Sequence, residues 1–266
     1  MHSSTALSFR ELLRAGDRPL FGTFIKTPAP QPIEIIGALG FDFVIIDAEH
    51  GPFDRGHTDI ALLAAKAAGV APVVRVANAQ PEAMLAALDD GAAGVMVPHV
   101  KSAALAREVV ASCRYHERRG FSNGCRAGAY GAIAQWPHID ASDAAVTVIA
   151  MIEDPEAVED IDRIVQTEGL DAIFIGRADL SVALGDRSVD GARVRTATAR
   201  ILAAARREHM PAMLLAAHEM EAKELLASGV HAFVIASDQG FLRQAAGASL
   251  SRFREAMAPP DTGPTS

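Results

Sequence analysis

Short apolar runs punctuate the chain at Leu20–Phe24, Phe43–Asp47, Pro72–Val76, Gly94–Val97, Val146–Ile152, Ala172–Ile175, Ala212–Leu215 and Ala232–Ala236. Each is too short for a typical helix, and most are rich in β-branched residues. That pattern predicts strands buried on both faces, as in a parallel sheet covered by helices. Between most of them lie Ala- and Leu-rich stretches with helical spacing: Pro30–Leu39, Asp54–Ala68, Pro81–Asp89, Ala103–His116, Pro155–Gln166, Gly191–His209 and Ala217–Ala227. Gly40, Gly69 and Gly229 close three of these stretches, where a C-terminal cap is expected. Eight strands alternating with helices over about 250 residues predict an α/β fold of the (β/α)8 TIM-barrel type. A single domain over residues 1–258 and a frayed Pro/Gly-rich tail over 259–266 complete that expectation. A doubly wound open sheet is the alternative, because a strand count does not show closure. Its nucleotide-binding version is weakened by the lack of a glycine-rich GxGxxG or GKT segment after any strand. Glu117–Ala144 is the one long connection without a clear element, and such loops are usually functional.

Polar residues collect where the runs stop. In a barrel the carboxyl ends of all strands share one mouth, where the chemistry sits. Asp47, Glu49 and His50 follow the second strand, Arg75 lies inside the end of the third, and His99 follows the fourth. Glu153 and Asp154 follow the fifth, and Arg177 and Asp179 the sixth. Two carboxylates from adjacent strands, Glu153 and Asp179, are able to share a hard divalent cation. Equally, Glu153 reads as an arginine partner and Asp179 as a helix cap. His50 stands three residues after Asp47, within reach of a carboxylate that would orient its ring as a general base. The plainer readings are a hydrogen-bonded structural histidine and an Asp47 that caps the next helix. Arg75 is harder to explain as structure, since a guanidinium inside an apolar run needs an anion.

Lysine usage separates two chemistries. The lysines are Lys26, Lys66, Lys101 and Lys223, and none lies within an apolar strand, where a desolvated imine-forming amine is often found. Lys26 and Lys101 follow strands and keep that possibility, but metal-assisted enolisation is favoured over imine chemistry.

Composition narrows the partners. Hydrophobic residues make up 50% and charged residues 22% of the chain, ample for a core. A net charge of −8 without a long basic run argues against nucleic acid. No apolar run approaches a membrane span, and residues 1–20 carry no secretory apolar segment. Cys113 and Cys125 have no metal or redox spacing, so reduced thiols and a cytoplasmic location are expected.

Several segments together resemble the HpcH/HpaI aldolase family of class II pyruvate aldolases. They are FGTFIK (21–26), GFDFVIIDAEHGPFD (40–54), VVRV (73–76), GVMVPHVKSA (94–103), RRGFSNGCRAGAYG (118–131), IEDPEAVEDID (152–162) and FIGRADLSVALG (174–185). The resemblance implies a (β/α)8 barrel, a homohexamer built as a trimer of dimers, and a last helix exchanged between neighbours. It implies a carbon–carbon lyase that reversibly cleaves 4-hydroxy-2-oxoacids to pyruvate, or a related 2-oxoacid, and an aldehyde. Carried over by position, Glu153 and Asp179 hold a divalent cation (Mg2+, Mn2+ or Co2+), His50 is the base and Asp47 its orienting partner. Arg75 holds the carbonyl or enolate oxygen, and the backbone at Ala178–Asp179 receives the carboxylate. Arg119 and Arg126 shape the aldehyde pocket. One departure is Met151, which stands where some members carry a substrate-contacting glutamine. Other enolate lyases acting on CoA thioesters or phosphonopyruvate-like acids, and a non-catalytic acid-binding barrel, are the alternatives.

Overall fold

The computed structural model describes residues 7–258, so the expected tail from Pro259 lies outside the described residues. Eight strands are present: β1 (Leu20–Ile25), β2 (Phe43–Asp47), β3 (Ala71–Arg75), β4 (Gly94–Val97), β5 (Thr147–Ile152), β6 (Ala172–Ile175), β7 (Ala212–Ala216) and β8 (Val230–Ser237). They pair in parallel, in sequence order, and β8 closes on β1. The barrel is closed, which excludes the open sheet.

The helices are α1 (Phe9–Ala15), α2 (Pro30–Ala38), α3 (Arg55–Ala68), α4 (Pro81–Asp89), α5 (Ala103–Cys113) and α6 (Gln135–Ala145). They continue with α7 (Pro155–Glu159), α8 (Ile161–Ile164), α9 (Arg177–Ala183), α10 (Ala192–Arg207), α11 (Glu219–Ala227) and α12 (Asp238–Ala256). Their starts follow local chemistry. Pro30, Pro81 and Pro155 open α2, α4 and α7, where a missing N–H costs nothing. Asp54 and Ser102 cap α3 and α5 by accepting from backbone N–H groups three residues on. The stretch expected as one helix over Pro155–Gln166 breaks at Asp160 into α7 and α8.

The long connection after α5 is less irregular than expected, since it contains α6. That helix has almost no apolar periodicity, burying only His138 and Ile139, so the pattern that reveals amphipathic helices was missing.

Side-chain parity builds two cores. Val44, Ile46, Val74 and Val95 face outward into the layer under the helices. Phe43, Ile45, Val73, Met96, Ile149, Met151 and Phe174 fill the barrel interior. Gly22 makes room there, since a Cβ on it would stand 2.3 Å from the Phe43 ring. Phe9 and Leu13 of α1 join this inner core and plug the end opposite the mouth. No helix among the described residues is long and apolar enough to cross a membrane.

Candidate active site

The period of two that buries Phe43 and Ile45 inside the barrel carries Asp47 to the rim on the same face. Val73 and Arg75 stand in the same relation on β3, as do Met151 and Glu153 beyond β5. Asp47 and Arg75 are register partners across β2 and β3. Their side chains meet in a two-pronged ion pair: Arg75 Nε donates to Asp47 Oδ1 (2.9 Å) and Nη2 to Oδ2 (2.7 Å). Arg75 is 6% exposed, so this pair compensates a buried guanidinium. Arg75 Nη1 also lies 3.2 Å from Glu49 Oε2. Lys26 Nζ approaches Asp47 Oδ2 at 3.2 Å from the end of β1. Although burial opposes it, the Arg75 and Lys26 charges and the His50 amide hold the Asp47 carboxyl below its ordinary range.

This corrects the expectation for Asp47. Its Oδ1 accepts from the backbone N–H of His50 (3.1 Å), not from the ring. The nearest acid to the His50 ring is Glu49, with Oε2 3.8 Å from Nε2. Both Asp47 oxygens are occupied by the in-register arginine, a cross-strand pairing that residue spacing within one segment does not reveal.

Glu153 is 3% exposed. Its Oε1 accepts from the His99 backbone N–H at 2.8 Å. Its other oxygen rests against Gly176, where a Cβ would come within 2.7 Å. Burial pushes the carboxyl up to about 7, with Asp179 and Glu49 adding to the rise while His99 opposes it. The backbone at His99 is left-handed (φ 55°), a strained conformation that brings its N–H onto Glu153. His99 Nδ1 lies 3.0 Å from Asp154 Oδ2, and this bond raises the imidazole pKa.

His99, Glu153 and Asp154 bring donor atoms within 4.8 Å of one another, a possible acidic metal site. Asp154 is already neutralised there, since Lys101 Nζ sits 3.2 Å from its other oxygen. Asp179, in the first turn of α9, has no ion-pair partner among the described residues.

A cavity of about 510 Å³ opens at the mouth. His50, Arg75, Met151, Gly176, Ala178 and Asp179 line it, together with the apolar Phe24, Phe174 and Leu215. Met151 thus stands in the site, offering an apolar thioether. The sequence reading missed Arg243 of α12, which also lines the cavity; an arginine one turn into a polar-faced helix carries no local signal.

Arg119 and Arg126 lie elsewhere, another correction. Arg119 Nη2 donates to Asp89 (2.8 Å) and Nη1 to Ser142 (3.1 Å), with the guanidinium 4.1 Å above the Tyr115 ring. It is a buried clamp on the connection after α5. Arg126 is paired with Asp59 of α3. Neither lines the cavity. A buried clamp and a ligand-facing arginine look the same in one dimension.

Comparison with known proteins agrees with this architecture. The profile described as HpcH/HpaI aldolase/citrate lyase matches residues 20–245. The 5-keto-4-deoxy-D-glucarate aldolase of Shigella dysenteriae serotype 1 (strain Sd197) is 34% identical over 219 residues, covering 81% of this chain and 85% of that protein. An HpcH/HpaI aldolase/citrate lyase family protein from Burkholderia cenocepacia J2315 superposes with a TM-score of 0.87 at 30% identity, over 92% of this chain and 98% of the other. The citrate synthase SbnG superposes with a TM-score of 0.84 at 31% identity, over 94% and 98%. The closed barrel, the strand-end residues and these likenesses converge: the chain belongs to the HpcH/HpaI aldolase/citrate lyase family and is a carbon–carbon lyase of the aldolase class.

Proposed function

We propose that the enzyme reversibly cleaves 4-hydroxy-2-oxoacids to pyruvate, or a related 2-oxoacid, and an aldehyde. The observation that carries this reading is one cavity bringing together His50, Arg75 and Asp179, with Glu153 packed against Gly176 of its wall. Two carboxylates, one buried and one unpaired, form a donor set suited to Mg2+, Mn2+ or Co2+. A divalent cation held by Glu153 and Asp179 would supply Lewis-acid polarisation of the keto acid.

The chain's own groups do the rest. His50 takes the proton from the C4 hydroxyl, the C3–C4 electron pair passes to C3, and the aldehyde departs. Arg75 faces the keto oxygen as negative charge develops on it. Asp47 and Glu49 hold the Arg75 fork, so the guanidinium arrives oriented. The backbone at Ala178–Asp179 receives the substrate carboxylate. Returning the proton to C3 yields pyruvate.

Exchange of pyruvate methyl protons with solvent, followed by NMR, tests enolate formation without an aldehyde. Exchange is expected with added Mg2+ and is lost in excess chelator. Arg75→Lys should lose it almost as fully as Arg75→Ala, because an ammonium lacks the planar fork. His50→Ala should slow cleavage by about 10²–10⁴-fold. Undiminished exchange in chelator would sink the cation's role, and survival in Arg75→Ala would move that residue to the acceptor side. The likeness to a citrate synthase supports a second reading, carbon–carbon bond formation onto a keto acid. Citrate among the products would be its signature.

We also propose a homo-oligomer. Helix α12 buries none of its residues and presents Leu242, Leu250 and Phe253.

A further inference from the structure

We propose that Arg177 and Glu221 are positioning residues, whose ion pair staples the turn carrying Asp179 to the neighbouring β7–α11 loop and so fixes that carboxylate where a cation needs it. The role rests on the aldol reading above and names two residues on which the cation end of the site depends. Ala178 and Asp179 stand in the first turn of α9, a helix of seven residues whose N-cap, Gly176, has no side chain to close it. The turn is tied at its start, where the Gly176 N–H donates to the Ile152 carbonyl (3.1 Å). It is tied again at Leu180, which is fully buried. The Asp179 carboxylate between these points has no ion-pair partner among the described residues to hold it.

Arg177 leaves that turn sideways, toward β7. Its Nη1 donates to Glu221 Oε1 (2.5 Å) and its Nη2 to the Leu215 carbonyl (2.8 Å). The other Glu221 oxygen, Oε2, accepts from the Ala217 N–H (2.6 Å). The Glu221 N–H in turn donates to Nδ1 of His218, the N-cap of α11 (3.2 Å). One guanidinium and one carboxylate therefore bind the β6–α9 turn to the backbone on both sides of Ala216, where β7 ends. The two side chains are only 12% and 15% exposed, so water competes weakly for them. Asp190 adds a looser outer contact, its Oδ1 3.9 Å from Arg177 Nη1. Although burial opposes it, Arg177 and the Ala217 N–H hold the Glu221 carboxyl below its ordinary range, which keeps the pair charged.

The staple spans one wall of the cavity. Met213 fills the barrel interior, so the period of two along β7 turns Leu215 into the mouth. Leu215 and Ala217 line the cavity together with Ala178 and Asp179. On the other side of Asp179, Gly176 packs against Glu153, so that end of the turn is fixed by close contact. Two carboxylates that share one cation must keep their spacing, and groups that orient a ligand are felt in the affinity. A purely electrostatic role would look different. The Arg177 charge repels a cation and the Glu221 charge attracts one, so removing them would act in opposite directions. Removing either half of a staple acts in the same direction.

The test is Mg2+ binding without substrate, by isothermal titration calorimetry, in Arg177→Met, Glu221→Met and the double variant. Each single change should raise the Mg2+ Kd by about ten-fold, the low end for groups that orient a metal ligand. The double variant should bind no more weakly than either single one, because the two residues act as a unit. Arg177→Lys should recover part of the affinity. With Mg2+ and pyruvate saturating, methyl-proton exchange should keep most of its kcat, since the staple places the cation end and leaves the reacting atoms alone. Should a methionine variant fail to fold, Arg177→Lys and Glu221→Gln carry the same comparison with smaller shifts of the same sign. A Kd that falls in Arg177→Met, rises in Glu221→Met and returns to the wild-type value in the double variant would overturn the staple in favour of a field effect. So would a Kd unmoved in folded Arg177→Met. A wild type that binds Mg2+ but exchanges no pyruvate protons would overturn the aldol reading alone, leaving the Kd comparison to decide the staple. One that binds no Mg2+ would overturn the cation site and the staple together.

Discussion

At the scale of single residues, Glu153 carries the sharpest consequence. Its ordinary pKa is 4.5, and burial raises it to about 7 in the fold. A carboxyl with a raised folded pKa contributes stability that is complete below about 4.5 and lost as pH rises through 7. Near pH 5 the protonated side chain behaves much like an amide. At pH 8 it is a buried anion beside Asp179 and Glu49. Glu153→Gln should therefore match the wild type in thermal midpoint near pH 5 and exceed it by roughly 5 °C at pH 8 without divalent cations. Saturating Mg2+ should raise the wild type, but not the variant, at pH 8. Differential scanning calorimetry at both pH values decides this, and a difference independent of pH would remove Glu153 from the role of charge-crowded ligand.

At the scale of elements, the end opposite the mouth depends on one carboxylate. Asp171, just before β6, is fully buried and receives Arg10 (2.6 Å), Arg14 (2.9 Å) and Arg114 (2.9 Å). The backbone N–H of Val148 on β5 adds a fourth bond at 2.9 Å. Arg10 also donates to the carbonyls of Asp143 and Ala144 at the end of α6, and Arg114 to those of Val146 and Gly169. One acid thus ties α1, α5, α6, β5 and β6 together. Removing its charge leaves three arginines facing each other, two of them shielded from water. Asp171→Asn should cost about 3–5 kcal/mol in urea unfolding. It should also expose residues 9–18 to protease before the barrel itself. A cost below about 1 kcal/mol would show that α1 is held by Phe9 and Leu13 alone.

At the scale of the whole molecule, α12 meets the barrel through Phe241 and Asp238 but leaves most of its length uncovered. Along its 19 residues none is buried; Leu242 and Phe253 are 71% and 69% exposed, and Met257 just past its end is 79% exposed. Such a face is costly in water and is normally covered. Leu250→Asp together with Phe253→Asp should shift the protein to a smaller species in sedimentation velocity while far-ultraviolet circular dichroism stays unchanged. A wild type that already sediments as a monomer would overturn the oligomer.

What could be read in one dimension, and what could not, divides along physical lines. Strands β2, β4 and β6 were bounded correctly because a fully buried parallel strand is an unbroken apolar run, ended where the chain meets solvent. The starts of α2, α3, α4, α5 and α7 were legible, with Pro, Asp or Ser standing at each, since capping is local; those of α1 and α12 were not read, although Ser8 and Ser237 cap them. The strand-end acids, histidines and arginine were legible because ionisable groups at the ends of such runs are out of place in a core. Helix α6 was not, lacking periodicity. Nor could the sequence alone determine which charge meets which. Asp47 was expected to serve the His50 ring, but the register across β2 and β3 sets Arg75 opposite it. Arg119 and Arg126 were expected at the mouth, but Asp89 and Asp59 hold them elsewhere. Barrel closure brings β8 beside β1, and with it Arg243 of α12 to the cavity that Lys26 also lines. The sequence by itself determined the elements and the chemical kinds at their ends, because propensity, capping and burial act over a few neighbouring residues. Only the tertiary structure decided the pairings, because Coulomb and hydrogen-bond partners depend on distances that parity, register and closure set across the whole chain.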